Sequence, residues 1–350
     1  MEIVKNIAKN SLEIGKMYVY HREQNNVARK ILKVIESEKG ILDPKSKKLC
    51  KEYAKDIFGD GKYAPWLYVY SAFSKEFKEG WIPDNYYGTV VVPSINGYYG
   101  NVCNRNAVIS RLLEKSDSLD ISYYVNHLFL NTNFQIINDE NLKKLLFTKN
   151  KKVVYKVENS FQGKGIYIFD EKSFDIKVIK RLGNGVFQIY IEQHPFFSDF
   201  NNSSVATIRI TTTSEDNGDI NARAGFFKFG REKDTHVQTS SAIKIPIDIK
   251  DGRLYEDAYF PDWSSTKELP DSKLSFSGKT LPFFNDCLVE VKKLHARIPF
   301  VRCVGWDIII DAYNQVKLIE LNGGHNGIRF HQTVQGPCFK GLNWENLSKM

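Results

Sequence analysis

Residues Gly305 to Gly324 read GWDIIIDAYNQVKLIELNGG, and no other stretch of the chain predicts local structure as clearly. Its pattern predicts one β-strand over Gly305–Asp311 and a second over Val316–Asn322, with a turn at Ala312–Gln315 between them. We therefore expect an antiparallel hairpin, in which the side chains of each strand alternate between two faces.

Two acidic residues face each other across this predicted hairpin. A turn centred on its two middle residues places Asp307 directly opposite Glu320, and Asn322 shares the face of Glu320 because side chains alternate with a period of two. Two carboxylates roughly 5 Å apart repel each other, so we expect a cation between them. Two carboxylates and an amide oxygen make a hard, oxygen-only site, which suits magnesium bound to nucleotide phosphates. The alternative is an ordinary exposed hairpin with scattered acids.

The composition is typical of a soluble globular protein. The 350 residues are 42% hydrophobic, 13% aromatic and 26% charged, which allows a sizeable core and two or three domains or subdomains. No apolar run approaches the ~18 residues that a membrane span needs, and the first residues contain no signal-peptide core, so we expect no transmembrane segment and no secretion by that route. Five cysteines are scattered and never spaced as CxxC, which favours a reducing cytoplasm over a disulfide framework or a zinc site. They are Cys50, Cys103, Cys287, Cys303 and Cys338.

The net charge of +8 is compatible with nucleic acid, an anionic membrane face or acidic small substrates as partners. The lysines are spread among many acids, and the sequence has no basic stripe with interleaved aromatic residues. We therefore expect no nucleic-acid partner. An anionic small molecule or saccharide suits the charge, and the alternative is a generally solvated basic surface.

The first 80 or so residues predict a helical region. Asn25–Ser37 has apolar residues at helical spacing, and Asp43–Phe58 has its first residue as a candidate N-cap, followed by Pro44 in the first turn. Thr89–Pro93 is apolar and β-branched, and it predicts a short buried strand. Leu281–Ile298 predicts an amphipathic helix that leads into the strand of the opening hairpin.

A second informative stretch is Lys151–Phe169, in which two strands rich in β-branched and aromatic residues flank a glycine-rich loop. Gly163 and Gly165 allow the backbone to approach a ligand closely and to offer N–H groups to phosphate oxygens. Lys156 alternates out of the first strand and can point at the same ligand. The alternative is a simple hairpin turn, and the pattern differs from a P-loop, which needs a GK[ST] sequence before a helix.

Two further strands, Ser204–Thr213 and Asn221–Phe229, bracket an Asn-Gly pair that is a strong hairpin signal. A turn centred there places Arg209 opposite Phe226, with Lys228 diagonal to Arg209 on the same face. Two cations that share a face need an anion between them, and arginine can bind phosphate through two parallel hydrogen bonds. The alternative is a pair of exposed cations on a solvated face.

Two loops remain as candidates for ligand contacts. Val186–Ile191 predicts a strand that is followed by a Glu-Gln-His-Pro segment suited to an interdomain hinge, and we expect His194 there to be a satisfied loop histidine. The loop after the opening hairpin contains His325, Arg329 and His331, which are either substrate contacts or surface residues.

Together these motifs resemble a known family. Asp307, followed by Glu320 and Asn322 in a Glu-x-Asn motif, has the spacing of ATP-grasp enzymes, and Lys156 with the glycine-rich loop resembles that fold's nucleotide lysine and phosphate-covering loop. More narrowly, EQHP, SSVATIRI, GWDIII and IELN, in this order, look like the sugar-transfer-associated ATP-grasp family of polysaccharide gene clusters. The resemblance covers about residues 100 to 340 and excludes the helical N-terminus.

The resemblance implies an α+β ATP-grasp fold, in which two α+β subdomains clasp ATP next to a mainly helical N-terminal region. We expect the helical region at residues 1–88 and the ATP-grasp N-terminal subdomain with the glycine-rich loop at residues 89–190. The C-terminal subdomain with the magnesium site is expected at residues 191–350.

The resemblance also implies a set of nucleotide and metal contacts, by matching motif positions. The residues that would contact ATP are Lys156, Gly163, Lys164, Gly165, Gln188, Ile189, Ile191 and His194. Arg209 and Lys228 would act on the transferring phosphoryl group, and Asp307, Glu320 and Asn322 would hold one or two magnesium ions.

Three positions depart from the family's pattern. Gln188 replaces the acid that usually reads the adenine amino group, and Arg105 stands near where a first nucleotide lysine is expected. The family's DN…GG loop appears here as residues 236–241, HVQTSS. Because that loop lies near the acceptor, the family's substrate does not transfer to this chain.

The resemblance favours an ATP-dependent carboxylate–amine ligase that forms an acylphosphate, in surface polysaccharide biosynthesis such as that of capsule or O-antigen. One alternative is an ATP-grasp phosphotransferase that leaves the phosphate on a sugar or amino-acid acceptor. Another is a nucleotide-binding module without catalysis, against which the intact Lys156, Arg209 and Asp307 argue.

Overall fold

The structure is a computed structural model that describes residues 2–114, 118–158, 160, 165–201, 204–231, 241–270 and 273–349, with side chains from residue 13 onward. The chain divides into two compact units. Unit 1 comprises Met1–Ile95, Asp262–Ser264 and Gly327–Met350, and unit 2 comprises Asn96–Pro261 and Ser265–Asn326. The sequence assigned residues 327–350 to the last subdomain, whereas the structure groups them with the helical region.

The described residues form eleven α-helices and thirteen β-strands, which makes the chain an α+β protein with a helical N-terminal region, as predicted. The helices are α1 (Glu2–Lys39), α2 (Pro44–Phe58), α3 (Ala64–Ser74), α4 (Asp84–Tyr86), α5 (Val92–Ile95), α6 (Asn106–Leu113), α7 (Asp139–Phe147), α8 (Ile176–Leu182), α9 (Pro195–Ser198), α10 (Phe284–His295) and α11 (Arg329–Val334). The strands are β1 (Asp120–Val125), β2 (Leu128–Asn131), β3 (Ile136–Ile137), β4 (Lys152–Val157), β5 (Ile166–Asp170), β6 (Gly185–Ile189), β7 (Thr207–Ser214), β8 (Ile220–Phe229), β9 (Ile243–Ile247), β10 (Ala258–Tyr259), β11 (Ser265–Thr266), β12 (Cys303–Ile310) and β13 (Val316–Asn322). None of the helices in these ranges combines the length and the apolar composition that a bilayer crossing requires.

Unit 1 is helical and has an aromatic core. The predicted cap of α2 is confirmed, because the Asp43 side chain accepts a hydrogen bond from the Ser46 N–H and Pro44 occupies the first turn. Among the described residues of this unit, the aromatic side chains of Trp66, Tyr70, Trp81, Tyr86, Tyr87 and Phe339 are fully buried.

The predicted strand at Thr89–Pro93 is wrong. Tyr87–Val91 forms a π-helical turn that continues into α5, and the Thr89 hydroxyl donates to the Asn85 carbonyl one turn earlier. A short apolar run cannot be assigned to strand or helix by its periodicity alone. Here the flanking helical segments decide, since the run lies between α4 and α5 and its Tyr87 and Val91 are fully buried.

The first sheet of unit 2 is antiparallel and has the strand order β3-β2-β1-β6-β4-β5. Helices α7 and α8 cover it through Leu142, Leu146 and Ile179, which pack against Tyr155 and Phe187 of the sheet. β4 and β5 pair on either side of the glycine-rich loop, as the sequence predicts.

The second sheet is also antiparallel, with the order β11-β10-β9-β8-β7-β12-β13. The predicted pairing of Arg209 with Phe226 is confirmed, and Lys228 lies two pairs along, opposite Thr207. Helix α10 covers this sheet and contributes Val291 to a core that includes the central strands.

The opening hairpin is formed by β12 and β13, and Asp307 lies opposite Glu320, as predicted. Next to the turn the pairing differs by one residue from the expected register, because Ile310 pairs with Val316 and not with Lys317. A β-bulge at Ile319 absorbs the difference, since the register shifts between the Asp307 pair and the next one.

Candidate nucleotide and metal site

Strand β12 lies in the sheet between β7 and β13, and it brings three charged residues into one row. Asp307 is directly opposite Arg209 on β7 and directly opposite Glu320 on β13. Because directly opposed residues of antiparallel strands share a face, the three side chains project from the same side of the sheet. The sequence therefore predicted the two hairpins correctly, and the structure places them next to each other.

The Asp307 carboxylate is bound by both predicted cations. Arg209 donates from Nε to Oδ1 at 2.5 Å and from Nη2 to Oδ2 at 2.7 Å, and Lys228 Nζ lies 3.6 Å from Oδ2. Burial would raise the pKa of Asp307, but Arg209 and Lys228 outweigh it and lower that pKa to about 2. The anion that the two cations require is thus supplied, within the described structure, by Asp307.

A glycine makes room for this arginine. A Cβ atom on Gly305 would lie 3.1 Å from Arg209 Nη1 and 3.0 Å from Asn326 Cβ. The same Nη1 donates to the Asn326 carbonyl at 3.3 Å. Arg209 is therefore held at three points, and we expect little freedom in its orientation.

Lys156 reaches this acidic row from the other sheet. Its Nζ donates to the carbonyl of Ile319 at 3.2 Å, and Ile319 is the bulge residue that the β12–β13 register skips. Burial lowers the pKa of Lys156, while Glu320, Asp120 and Asp307 oppose this change. The bulge thus gives the lysine a carbonyl to bind beside the carboxylates.

The donor set at the hairpin fits magnesium. Asp307 and Glu320 offer carboxylates on one face and Asn322 adds an amide oxygen. The Nδ2 of Asn322 is buried without a hydrogen-bond partner among the described residues. An amide NH₂ group only donates hydrogen bonds, so this atom would suit a phosphate oxygen and not the metal itself. No cluster of three or more His, Cys, Asp or Glu residues that could hold a metal ion occurs among the described residues, so the predicted set depends on the amide of Asn322 as its third ligand.

The glycine-rich loop is only partly described, because Gly163 and Lys164 lie outside the described residues. Gly165 has φ of +76°, and a Cβ atom there would lie 2.7 Å from Ser160 Cβ. Glycine is therefore required at this end of the loop. At the other end the buried Glu158 accepts from Arg105 Nη1 at 3.3 Å and from the Asn106 N–H at 3.1 Å.

Gln188 is buried on β6, and its amide has a carboxylate partner. Its Nε2 donates to Asp120 Oδ1 at 2.7 Å. The same carboxylate accepts from the hydroxyls of Ser110 and Tyr123. Asp120 of β1 therefore places a carboxylate beside Gln188, the position at which the family has an acid and this sequence has none.

The remaining predicted nucleotide contacts lie where the two sheets of unit 2 are joined. Ile189 has an exposed side chain, and its N–H donates to the Leu119 carbonyl at 2.9 Å. Ile191 is past the end of β6, in the connection to the second sheet. His194 is a satisfied loop histidine, as expected, because its Nδ1 accepts from the Phe196 N–H at 3.1 Å.

The candidate substrate residues separate between the two units. His325 is exposed in unit 2, whereas Arg329 begins α11 in unit 1. His331 is fully buried, so it is not a surface residue, and its Nδ1 pairs with Gln335. Of the divergent loop at residues 236–241, all but the last residue lies outside the described ranges.

Two residues of this region were missed by sequence reasoning. Asp120 begins β1. The alternation of side chains in this strand and the Asn126-His127 turn after it could have predicted a hairpin that starts at Asp120. Asn96 was not recognisable, because its amide bonds the carbonyls of Cys303 and Gly323, more than 200 residues away. Those contacts fix the loop that follows the Glu-x-Asn motif.

Comparisons with known proteins find a family that matches part of the chain. The model of the family described as sugar-transfer associated ATP-grasp matches residues 178–346, just under half of the chain. A comparison with curated proteins gives no significant match. The resemblance to the sugar-transfer-associated ATP-grasp family, predicted from the motifs of the chain, is confirmed over the matched residues.

Solved structures with similarity to the chain include three ligand complexes. Biotin carboxylase from Campylobacter jejuni with β,γ-ATP has 12% identity and a TM-score of 0.42, covering 69% of this chain and 47% of that chain. N5-carboxyaminoimidazole synthetase from Staphylococcus aureus with ADP has 12% identity and a TM-score of 0.39, covering 68% and 52%. The ATP-grasp ligase PsnB with its minimal precursor has 13% identity and a TM-score of 0.40, covering 72% and 64%. The chain thus spans about half to two thirds of the length of these structures.

Proposed function

We propose that the chain is an ATP-dependent ligase that activates a carboxylate as an acylphosphate and joins it to an amine or a similar nucleophile. One observation supports this most strongly. Lys156, Arg209 and Lys228 converge on Asp307 and Glu320 across two sheets, in a chain that matches an ATP-grasp family.

The side chains divide the work between binding and charge neutralisation. Lys156 would bind the phosphates of ATP, and Asp307, Glu320 and Asn322 would hold magnesium, which neutralises phosphate charge when bound. Arg209 and Lys228 would stabilise the negative charge that spreads over the transferring phosphoryl group. The protein itself would form no covalent bond to substrate.

The reaction balances in two steps. A carboxylate oxygen of the substrate forms a bond to the γ-phosphorus of ATP, and the bond to ADP breaks. The nitrogen of the amine then forms a bond to the acyl carbon, inorganic phosphate leaves, and the amine loses a proton. The product is lighter by one water than the sum of its two parents.

We infer the substrate class from charge and from the family match. A uronate-type saccharide or its precursor suits a chain of net charge +8, and the family's description associates it with sugar transfer. We place the reaction in cytoplasmic biosynthesis of a surface polysaccharide, since ATP is available there and the five cysteines, all among the described residues, form no disulfide.

The experiment is to incubate the protein with ATP, magnesium and pooled amino acids, amines and uronates, and to follow products by mass spectrometry. ADP, free phosphate and a condensed product support the ligase. ADP with phosphate retained on one acceptor would instead establish a phosphotransferase. Glu320→Ala is the negative control, because it removes an exposed metal ligand, and full activity of that variant would contradict the metal assignment.

A further inference from the structure

A short 3₁₀-helix, Gly97–Asn104, lies beside the loop that follows the Glu-x-Asn motif. One side of this helix packs closely on the loop, because a Cβ atom on Gly100 would lie 2.5 Å from the carbonyl oxygen of Gly323. Cys103 is buried on the same side, and its Sγ would lie 2.6 Å from a Cβ atom on Gly323. The buried amide of Asn96 also donates to the Gly323 carbonyl at 2.6 Å. The position of the helix against the loop is therefore fixed.

The period of this helix aligns three polar side chains, because residues three apart in a 3₁₀-helix project from the same side. Gly100 and Cys103 take the side that faces the loop. Tyr98, Asn101 and Asn104 therefore share another side, which is about 12 Å long. Tyr98 is 93% exposed, Asn101 is exposed and Asn104 is half-buried. The two asparagine amides form no side-chain hydrogen bond with another described residue, so both are available to a ligand.

The side formed by Tyr98, Asn101 and Asn104 adjoins the proposed metal site. A Cβ atom on Gly324 would lie 3.8 Å from Asn101 Oδ1 and 3.9 Å from Asn104 Nδ2. Apart from the chain neighbours of Gly324, no other atom of the described residues lies within 4 Å of that position, so the two amides line an open space. Gly324 is two residues after Asn322, and their Cα atoms are at most about 7 Å apart. A ligand held by the amides thus lies next to a proposed magnesium ligand.

Exposed aromatic rings continue from this side of the helix. Tyr99 is 68% exposed, and its ring lies 5.5 Å from that of Phe300, which is 42% exposed. Single exposed apolar residues are ordinary, whereas a contiguous patch marks an interaction site. With Tyr98 beside them in the chain, the three rings make such a patch next to the two free amides.

We propose that Tyr98, Asn101 and Asn104 bind the ring of a saccharide substrate, an inference that rests on the proposed ligase and names its acceptor site. The face of an aromatic ring is electron-rich and suits the polarised C–H groups of a sugar ring. An asparagine amide both donates and accepts hydrogen bonds, and a sugar hydroxyl does the same. None of the three side chains is charged, so they hold the ring and its hydroxyls. The carboxylate of a uronate is then left free to be activated near Asn322.

The test measures saccharide binding in the absence of nucleotide and magnesium. Methyl glucuronide and methyl galacturonide are titrated separately into the full chain, and binding is followed by saturation-transfer difference NMR. We expect at least one of them to bind at millimolar concentration. Tyr98→Ala should weaken this binding by about tenfold and Asn101→Ala by about two- to tenfold, whereas Tyr98→Phe keeps the ring and should bind as the unchanged chain does. Absence of binding by both uronides overturns the proposal.

Two matched controls locate the site. Tyr313→Ala removes a tyrosine that is 82% exposed in the β12–β13 turn, and Asn217→Ala removes an exposed asparagine in the β7–β8 turn, so both should bind as the unchanged chain does. Unchanged binding in Tyr98→Ala and Asn101→Ala overturns the proposal. In the ligase assay, Tyr98→Ala should raise the KM for the uronate by about tenfold and leave the KM for ATP unchanged. A chain that binds uronide through Tyr98 but forms no condensed product contradicts the ligase alone.

Discussion

At the scale of single residues, a mutation of Arg209 affects both the position of Asp307 and the proposed stabilisation of transferred phosphate. Its guanidinium holds Asp307 by two hydrogen bonds, and both side chains are largely buried. Removing one partner of such a pair leaves the other charge uncompensated, which costs on the order of 3–5 kcal/mol. The arginine is thus a structural partner of the proposed metal ligand as well as a candidate for stabilising transferred phosphate.

We expect Arg209→Ala to lower the free energy of unfolding by that amount and to reduce kcat more than it weakens ATP binding. Urea unfolding and steady-state kinetics with ATP measure the two effects. The matched control is Arg253→Ala, whose exposed ion pair with Asp248 is worth at most about 1 kcal/mol. An equal loss of turnover and ATP affinity would assign Arg209 to uniform nucleotide binding.

Asp120 determines how the Gln188 amide is oriented. A carboxylate only accepts hydrogen bonds, so the NH₂ end of Gln188 must point towards Asp120 and its carbonyl oxygen away from it. That oxygen is then fixed as an acceptor, which suits the amino group of adenine and not the carbonyl of guanine. The Gln that departs from the family's acid would in this way still recognise adenine.

Asp120→Asn allows the Gln188 amide to adopt either orientation, because asparagine both donates and accepts. We expect the variant to lose selectivity for ATP over GTP by about tenfold, in line with the value of one hydrogen bond to a charged group. Competition binding with the two nucleotides measures it. Asp139→Asn, at an exposed position of the same unit, is the control, and unchanged selectivity in Asp120→Asn would remove Gln188 from base recognition.

At the scale of elements, hydrogen bonds of His295 and Thr212 connect the C-terminal end of α10 to the second sheet. His295 Nε2 must donate to the Val301 carbonyl at 2.8 Å, so Nδ1 accepts from the Thr212 hydroxyl at 2.6 Å. The Thr212 oxygen accepts in turn from the Trp306 indole at 2.7 Å. Burial lowers the pKa of His295 to about 4, so the neutral ring with this arrangement is the form present at neutral pH.

This network predicts loss of stability in mild acid. Between pH 6.5 and 4 the unfolded chain binds a proton that folded His295 does not, so the stabilisation is complete above pH 6.5 and falls as the pH drops to 4. The loss attributable to His295 is on the order of 3 kcal/mol. Urea midpoints measured from pH 7 to 4 should fall less in His295→Gln than in the unchanged chain, while His325→Gln should follow the unchanged chain. Parallel pH profiles for all three would contradict the assignment.

Elements were predictable from sequence where local pattern and tertiary structure agree. The hairpin of Asp307 and Glu320 was predicted from alternation and a polar turn. Its prediction that Asp307 lies opposite Glu320 is correct, because the bulge at Ile319 separates this pair from the shifted pairing next to the turn. Thr89–Pro93 was wrongly predicted to be a strand, since this short apolar run adopts the helical conformation of the segments that flank it. No local rule would have given either the bulge or the π-helical turn.

At the scale of the whole molecule, the sequence predicted the α+β fold and the charged row of unit 2, but not the packing of unit 1. The residues that resemble ATP-grasp motifs stand in short stretches of recognisable spacing. Contacts of unit 1 such as that between Trp81 and Gln332 belong to no motif and join residues 251 positions apart. Which residues such contacts bring together is a property of the packed structure, so it could not be read from the chain.

The two sheets of unit 2 meet at Lys156, and a ligand there would stabilise both. The Lys156 ammonium from the first sheet bonds the Ile319 carbonyl of the second, next to the carboxylates of the opposed pair. A nucleotide at 100 times its Kd adds about 2.7 kcal/mol to the stability of the folded state, which corresponds to a Tm rise of a few degrees. We expect MgATP to produce this rise in the unchanged chain and in Lys152→Met, an exposed lysine of the same strand, but not in Lys156→Met. Differential scanning fluorimetry measures it, and a full rise in Lys156→Met would show that the nucleotide phosphates bind elsewhere.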